Sequence, residues 1–569
     1  MQGRTASSPD LGVVAMARMG RTRWVAASLV RVVSCCFPYA LRSAPAVTAP
    51  VPARRLAAFL FLPALLVAVA GCAVGPKYVR PSTPVETAWK EEENHYLSTQ
   101  APADSVWWTA FNDTTLDGLV ASAFHQNLSL QVAGLRILEA RARLGVAVGK
   151  QYPQVQAAIA RATNFGLSDR AANIPGLNQN FSDFQVGFDA AWELDFWGKY
   201  GRGVKAEQAN VHATEADYQD ALVALAAEVA RTYAAIRTLE TLIDLTRDNV
   251  RLQEEGQRIA QARFRHGATS ELDVTQATTL LESTRATVPQ LQSGLEQAEN
   301  ALSTLLGLPP GAVHARLGTH TGIPRPPDQV AVSVPAEMLR RRPDIRSLEM
   351  SAMAQADQVG VARSELYPSF TLTGMIGTQT TQNAGPISGN ATFSDLFGPG
   401  TLFYTWGGRV FWPLFNYGRI QNNVRVQDAR LQQLLVAYQK SVLEAAREVE
   451  DGLAGYLRAR EATTFAQNAA TSAQRSVDIA LIQYREGAVD YQRVLDAQRS
   501  LLQEQNTLAS TQSSVATSLI ALYKALGGGW ETRQGQALIP QEMQDEMKRR
   551  TNWGNYFEKP QPTTTTKRR

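Results

Sequence analysis

The sequence predicts an α+β membrane protein built from two tandem copies of one unit, each an amphipathic β-hairpin set between long helices. Three observations predict it. An internal repeat runs at an offset near 220 residues, apolar and polar residues alternate in two pairs of short segments, and the stretches between are long, rich in Ala, Leu, Glu and Gln, and poor in Gly and Pro. Phe264-Arg265-His266-Gly267-Ala268 returns as Tyr484-Arg485-Glu486-Gly487-Ala488, and Leu306-Gly307 returns as Leu526-Gly527, both at 220. Trp192-x-Leu194-x-x-x-Gly198-Lys199 meets Trp412-x-Leu414-x-x-x-Gly418-Arg419 at the same offset. Gly145-Val146-Ala147 and Tyr152-Pro153 meet Gly360-Val361-Ala362 and Tyr367-Pro368 at 215, so the second copy carries five extra residues in its hairpin. A period this long marks a duplicated structural unit.

The chain opens on a leader. Arg54-Arg55 precede an apolar stretch, Leu56 to Ala70, that ends in Val69-Ala70-Gly71-Cys72. A positive start, an apolar middle and small residues at the cut describe a signal peptide. A cysteine directly after Ala-Gly resembles a bacterial lipobox. Processing is then expected to cleave before Cys72 and leave S-diacylglycerol and an N-acyl chain on it, each buried methylene contributing about 0.8 kcal/mol to anchoring. The alternative is an ordinary cleaved signal with a bystander cysteine. Residues 1–50 exceed an ordinary signal peptide, which leaves an internal methionine or another codon as alternative starts.

The net charge of +4 does not indicate nucleic-acid binding. Residues 1–55 carry eight arginines against one aspartate, +7, which leaves the rest of the chain at −3. The three cysteines, Cys35, Cys36 and Cys72, all precede the repeated body, so neither a disulfide framework nor a cysteine metal site is expected there. No apolar run reaches the roughly 18 residues of a membrane-spanning helix.

The strands come next. From 183 to 196 the even positions read Phe184, Val186, Phe188, Ala190, Trp192, Leu194, Phe196, and the odd positions include Asp183, Asp189, Glu193 and Asp195. Side chains alternate across a strand, so this segment has one oily and one acidic face. In the second copy Leu402, Tyr404, Trp406, Val410, Trp412 and Leu414 share a face. Partner strands are expected at 155–163 and 369–378, joined by polar loops at about 164–182 and 379–400. Residues 199–263 read as one helix about 95 Å long, with Leu222, Leu225, Val229, Ile236, Leu239 and Ile243 forming a coiled-coil seam. After a turn at Gly267, Ser270 is expected to cap a return helix, 271–306, that Pro289 should bend. Asp490 is expected to cap its copy, 491–526. A further helix precedes each hairpin, at about 114–149 and 336–365.

Four strands cannot close a barrel in lipid, because open edges would leave backbone groups unpaired at several kcal/mol each. Chains must therefore pool strands. Three chains supply twelve, enough to surround an aqueous lumen. Phe196-Trp197-Gly198 runs straight into the long helix, so the barrel should continue into a helical tube. The plainer account of the alternating strands is a soluble β-sandwich, which leaves the leader and the long coiled coils unexplained.

Several motifs in order carry a resemblance. They are Gly71-Cys72-Ala73-Val74-Gly75-Pro76-x-Tyr78, Trp107-Trp108-x-x-Phe111-x-Asp113, Trp192-Glu193-Leu194-Asp195-Phe196-x-Gly198, Arg340-Arg341-Arg342-Pro343-Asp344-Ile345, Val494-Leu495-Asp496-Ala497-Gln498-Arg499-Ser500 and Tyr523-Lys524-Ala525-Leu526-Gly527-Gly528-Gly529-Trp530. Over residues 69–558 the chain resembles the outer-membrane factors of tripartite efflux pumps, the OprM/NodT branch of the TolC-like proteins. The resemblance implies a homotrimer in the outer membrane: a twelve-stranded β-barrel, four strands per chain, continued by a long periplasmic α-helical barrel. It also implies partnership with a periplasmic adaptor and an inner-membrane RND pump, a passive duct for drugs or other small molecules, and no cofactor beyond the lipid at Cys72. Under it the chain divides into a leader (1–71), an N-terminal equatorial segment (72–112), a first repeat (113–310, hairpin 153–197), a linker (311–335), a second repeat (336–529, hairpin 368–415) and a C-terminal equatorial segment with a disordered tail (530–569). The family's periplasmic gate corresponds here to Tyr484, Asp496 and Arg499. Asp496 and Arg499 stand three apart on one helix face, where the plainer account is a solvated pair. Where many relatives have apolar residues after the tip tyrosine, this chain has Gln492-Arg493.

Asp183, Asp189, Glu193 and Asp195 are expected to line the lumen and favour cations mildly, the alternative being a metal site. His314 and His320 make a weak metal pair. No nucleophile elbow, phosphate loop or zinc spacing appears, so no enzyme is expected. Protein secretion through the same kind of duct, or a lipid-anchored periplasmic scaffold, are the competing functions.

Overall fold

The computed structural model describes residues 73–557 apart from 87, 92–93, 99–103, 169, 171–174, 320–321, 328, 332–340 and 387–390. The leader, Cys72, His320 and the basic tail lie outside the described residues. The chain runs through β1 (Leu97–Ser98), α1 (Thr114–Gln126), α2 (Leu128–Gly149), β2 (Val155–Gly166), β3 (Asn180–Leu194), α3 (Lys199–Arg265), α4 (Glu271–Leu305), α5 (His314–Leu317), β4 (Val330–Ala331), α6 (Pro343–Ser364), β5 (Ser369–Gln382), β6 (Leu402–Phe411), α7 (Arg419–Arg485), α8 (Tyr491–Leu526) and α9 (Gln541–Arg550).

The repeat holds to the residue. Helices α2 and α6 are each 22 residues at an offset of 215, and α3 and α7 are each 67 residues at an offset of 220, about 100 Å of helix apiece. The helix expected from 114 to 149 is two helices. Asn127 takes an extended conformation, its side chain accepts from the Leu130 N–H at 2.8 Å, and it starts α2. Its Nδ2 donates to the Leu305 carbonyl at 2.9 Å. At the corresponding place in the second copy, Arg342 precedes α6 and donates through Nη1 to the Ala525 carbonyl at 2.8 Å. Arg342 is buried and also bonds Asp344 at 2.8 Å and Glu448 at 2.9 Å. Helix α6 thus begins at Pro343 rather than at 336, with 336–340 outside the described residues.

The long helices pair as coiled coils, α3 with α4 and α7 with α8, while α8 also lies against α3. In α3, Leu222, Val229, Tyr233 and Ile236 are fully buried, each worth about 1.5–3 kcal/mol relative to exposure. Across α3 and α8 the contact is polar. Thr238 donates to Ser513 at 2.9 Å, Asn249 donates to Gln505 at 2.6 Å, and the Gln253 amide is buried with neither atom bonded. Helix α4 continues unbroken through Pro289. Asp490 caps α8 by accepting from the Arg493 N–H, as expected. Ser270 occupies the cap position of α4 without a side-chain bond, and Thr269 bonds Asp273 instead.

Strands β2, β3 and β5 run further toward the loops than their alternation indicated, β3 and β6 stop short of Phe196 and Leu414, and the four join into one antiparallel sheet, β2-β3-β5-β6. Strands β3 and β5, one from each repeat, form the middle, with Asp189 opposite Met375 and Trp192 opposite Leu372. The outer sides of β2 and β6 have no partner strand among the described residues.

Candidate functional site

The sheet has two unlike faces. One row runs Ala158–Phe188–Ile376–Tyr404 and the next Gln156–Ala190–Gly374–Trp406. Phe188, Ile376, Tyr404, Trp406, Leu402 and Val410 are all exposed, Trp406 at 83%. An apolar surface this continuous marks contact with lipid or protein, and on a strand with a polar reverse side it marks the lipid side of a barrel. Among the described residues no helix is long and apolar enough to cross a membrane.

The opposite face holds the carboxylates singled out in the sequence, and the structure separates them. Asp183 accepts from Gln379 at 2.9 Å and from Thr381 at 3.1 Å, across the β3–β5 pair. Asp189 has no hydrogen bond among the described residues. Glu193 accepts from Lys199 at 3.3 Å and from the Tyr200 hydroxyl at 3.0 Å. Asp195 lies just beyond the end of β3. Its two oxygens accept the Tyr200 and Gly201 N–H groups at 3.0 and 2.7 Å, closing the first turn of α3. Arg161 and Arg409, missed by reading β3 alone, share this face: Arg161 stands opposite Gln185, and Arg409 shares a row with Thr371 and Glu193. The polar face is therefore mixed in sign, with Asp183, Asp189 and Glu193 alongside Arg161 and Arg409. Register was the missing signal, since it comes from pairing and not from any one strand.

The sheet runs directly into the helices. Trp192 Nε1 donates to the Gln151 carbonyl at 3.2 Å, and Trp412 Nε1 to the Leu366 carbonyl at 3.0 Å, the same bond in each repeat. The N-terminal strand of chain docks at this junction. The Val74 N–H donates to the Trp197 carbonyl at 3.1 Å, and Arg202 donates to the Gly75 and Pro76 carbonyls at 3.3 and 3.1 Å while pairing with Asp357 at 2.9 Å. Gly75 has φ +120°, and a Cβ there would lie 2.5 Å from the Gly360 Cα, so the approach requires glycine.

At the far end, the turns at Gly267 and Gly487 close the helical hairpins. Tyr484 is 1% exposed. Its ring lies under the Arg263 guanidinium at 4.6 Å, its hydroxyl donates to Asp273 at 3.2 Å, and its ring meets Tyr491 edge-on at 5.1 Å. Burial, reinforced by Asp273, raises its hydroxyl above the ordinary tyrosine range. Tyr484 thus locks α3, α4, α7 and α8 together. Asp496 and Arg499 lie apart from it on the exposed side of α8, where Asp496 accepts from Gln492 at 2.9 Å. Within one chain the two do not pair. Among the described residues no group of three or more His, Cys, Asp or Glu is placed to hold a metal, and His314 bonds Glu299 at 3.1 Å.

Comparison with known proteins agrees with this architecture. The family model "Outer membrane efflux protein" matches residues 119–308 and 334–528, one segment in each repeat. The chain is 29% identical over 467 residues to the cation efflux system protein CusC of Escherichia coli (strain K12), covering 81% of this chain and 97% of that one. It is 29% identical over 476 residues to nodulation protein T of Rhizobium leguminosarum bv. viciae, covering 84% and 94%. Among solved structures it is similar to the outer-membrane channel OprN, with TM-score 0.75 and 29% identity over 81% of this chain and 100% of that one.

Proposed function

The chain belongs to the outer membrane efflux protein family, and from that premise we propose that three copies pool their sheets into one twelve-stranded barrel and their helices into one tube. It is an outer-membrane channel component of an efflux system, with the barrel in the membrane and the helices in the periplasm. The observation that carries the trimer is a sheet that is oily on one face, charged on the other and open at β2 and β6. Such edges in hydrocarbon each leave a row of unpaired backbone groups, which only more strands can satisfy. Three four-stranded sheets close a barrel wide enough for water.

The duct does no chemistry of its own in this reading. A periplasmic adaptor and a proton-driven RND pump load it, and drugs or other small molecules leave through it. Cys72 carries the lipid anchor, and two residues on, the Val74 N–H docks at the Trp197 carbonyl, where the sheet meets the helices, which supports an anchor on the membrane side. Asp496 and Arg499, exposed and unpaired with each other within the chain, form the periplasmic gate by pairing between copies, and Tyr484 keeps the tip that bears them rigid. Exposed pairs contribute about 0–1 kcal/mol each, so adaptor contacts suffice to part them.

Extraction tests the reading. The protein should leave outer membranes in detergent as a heat-sensitive trimer and conduct ions in planar bilayers. A stable monomer in detergent-free buffer with both hairpins folded would overturn it.

A further inference from the structure

Where the polar face of the sheet meets the helices there is a cavity of about 450 Å³. Its lining includes Glu193, Lys199, Glu365, Arg409 and Arg419. Glu193 is already engaged by Lys199 and Tyr200, and Asp195, also in the lining, by two backbone N–H groups. Arg409, Arg419 and Glu365 are all exposed and make no side-chain hydrogen bond or ion pair among the described residues. Free charges of both signs thus share one cavity without touching.

Their origin lies in the duplication. At the repeat offsets Arg409 stands where the first copy has Asp189, Glu365 where it has Lys150, and Phe415 where it has Asp195. The first copy's carboxylates at this level are spent on Lys199 and on the helix start, whereas the second copy's charges have no partner among the described residues of the chain. The cavity opens on the face that does not meet lipid, so in a threefold duct it recurs three times around the lumen at the base of the barrel. Opposite charges held apart in a water-filled recess each bind weakly alone, and a solute carrying both signs satisfies them together.

We propose that this cavity is a weak station for zwitterionic solutes on the export path, with Arg409 and Arg419 receiving the carboxylate or other oxyanion and Glu365 the ammonium. These are specificity-determining residues of transport, set apart from the gate. The inference rests on the duct reading above.

Single-channel recording of the reconstituted protein tests it with three probes that share an indole ring and differ in charge: tryptophan, tryptamine and indole-3-propionate. Tryptophan should dwell longest, on the order of threefold longer than either singly charged probe. Arg409→Gln with Arg419→Gln should bring tryptophan down to the tryptamine level and remove the dwell of indolepropionate. Glu365→Gln should bring tryptophan down to the indolepropionate level and leave indolepropionate unchanged. Arg409 and Arg419 lie on the edge strand β6 and at the start of α7, so each variant is first checked to run as a trimer, and Arg409→Lys with Arg419→Lys should retain most of the tryptophan dwell. Equal dwell times for the three probes, or dwell times that ignore these substitutions in a conducting trimer, overturn the station and leave the duct standing. A wild-type protein that is monomeric and passes no current removes both.

Discussion

The two repeats share a template and differ in what covers it. Position by position, Ala206, Ala216 and Val223 of α3 are buried at 0%, 1% and 3%, whereas Val426, Val436 and Leu443, their counterparts on α7, are exposed at 47%, 53% and 51%. Helix α3 is wrapped by α1, α2, α4, α6 and α8, and α7 is covered by α6 and α8. Larger apolar side chains on the bare helix than on the covered one make little sense for water contact. They make sense if α7 meets another copy of the chain. Duplication has produced one long helix that is covered within the chain and another that leaves a bare apolar face.

Substitutions at matched positions test that contrast most directly. Val223→Asp buries an unpaired carboxylate and should cost well over ~4 kcal/mol, leaving little folded protein. Leu443→Asp should preserve the chain's helical circular dichroism while dissociating the oligomer on a sizing column. If Leu443→Asp leaves the trimer intact, α7 is not the contact face. The paired cap residues come next. Arg342→Ala strips a buried guanidinium from Asp344, Glu448 and the Ala525 carbonyl and should destabilise by about 3 kcal/mol. Asn127→Ala, which loses the matching bond to Leu305 and the cap of α2, should cost about 1–2 kcal/mol. Equal losses in denaturant titration would mean that the extra ion pairs of the second copy add nothing. The smallest effect on stability belongs to the proposed gate, whose charges occur in one repeat alone, since Gln276 and Thr279 stand where the other has Asp496 and Arg499. Asp496→Ala with Arg499→Ala should leave the melting temperature nearly unchanged and raise single-channel conductance. An unchanged conductance removes the gate assignment.

Much of this architecture was legible in the chain because it is local. Phe184 to Phe196 alternates at a period that only a strand explains, and the seam from Leu222 to Ile243 needs nothing beyond helical spacing. The loop-side ends of the strands are hidden, since Asn164 and Gln379 resemble loop residues and yet pair across the sheet with Ser182 and Gln185. What stayed hidden depends on pairing. Arg161 and Arg409 join Glu193 on one face only through the register of four strands from both repeats. Asp195 looked like a continuation of the acidic series until the end of β3 turned it into a helix cap. The burial of Tyr484 among four helices was hidden too, because it depends on Arg263 above its ring and Asp273 at its hydroxyl, both contributed by the other repeat.

The unpaired sides of β2 and β6 also govern time. A lone chain cannot settle in the bilayer and wait there for company, since its bare backbone would face hydrocarbon throughout. Membrane entry and the meeting of copies must therefore be one event, whose rate climbs steeply with the supply of newly delivered chains and whose failure leaves a sticky half-sheet in the periplasm.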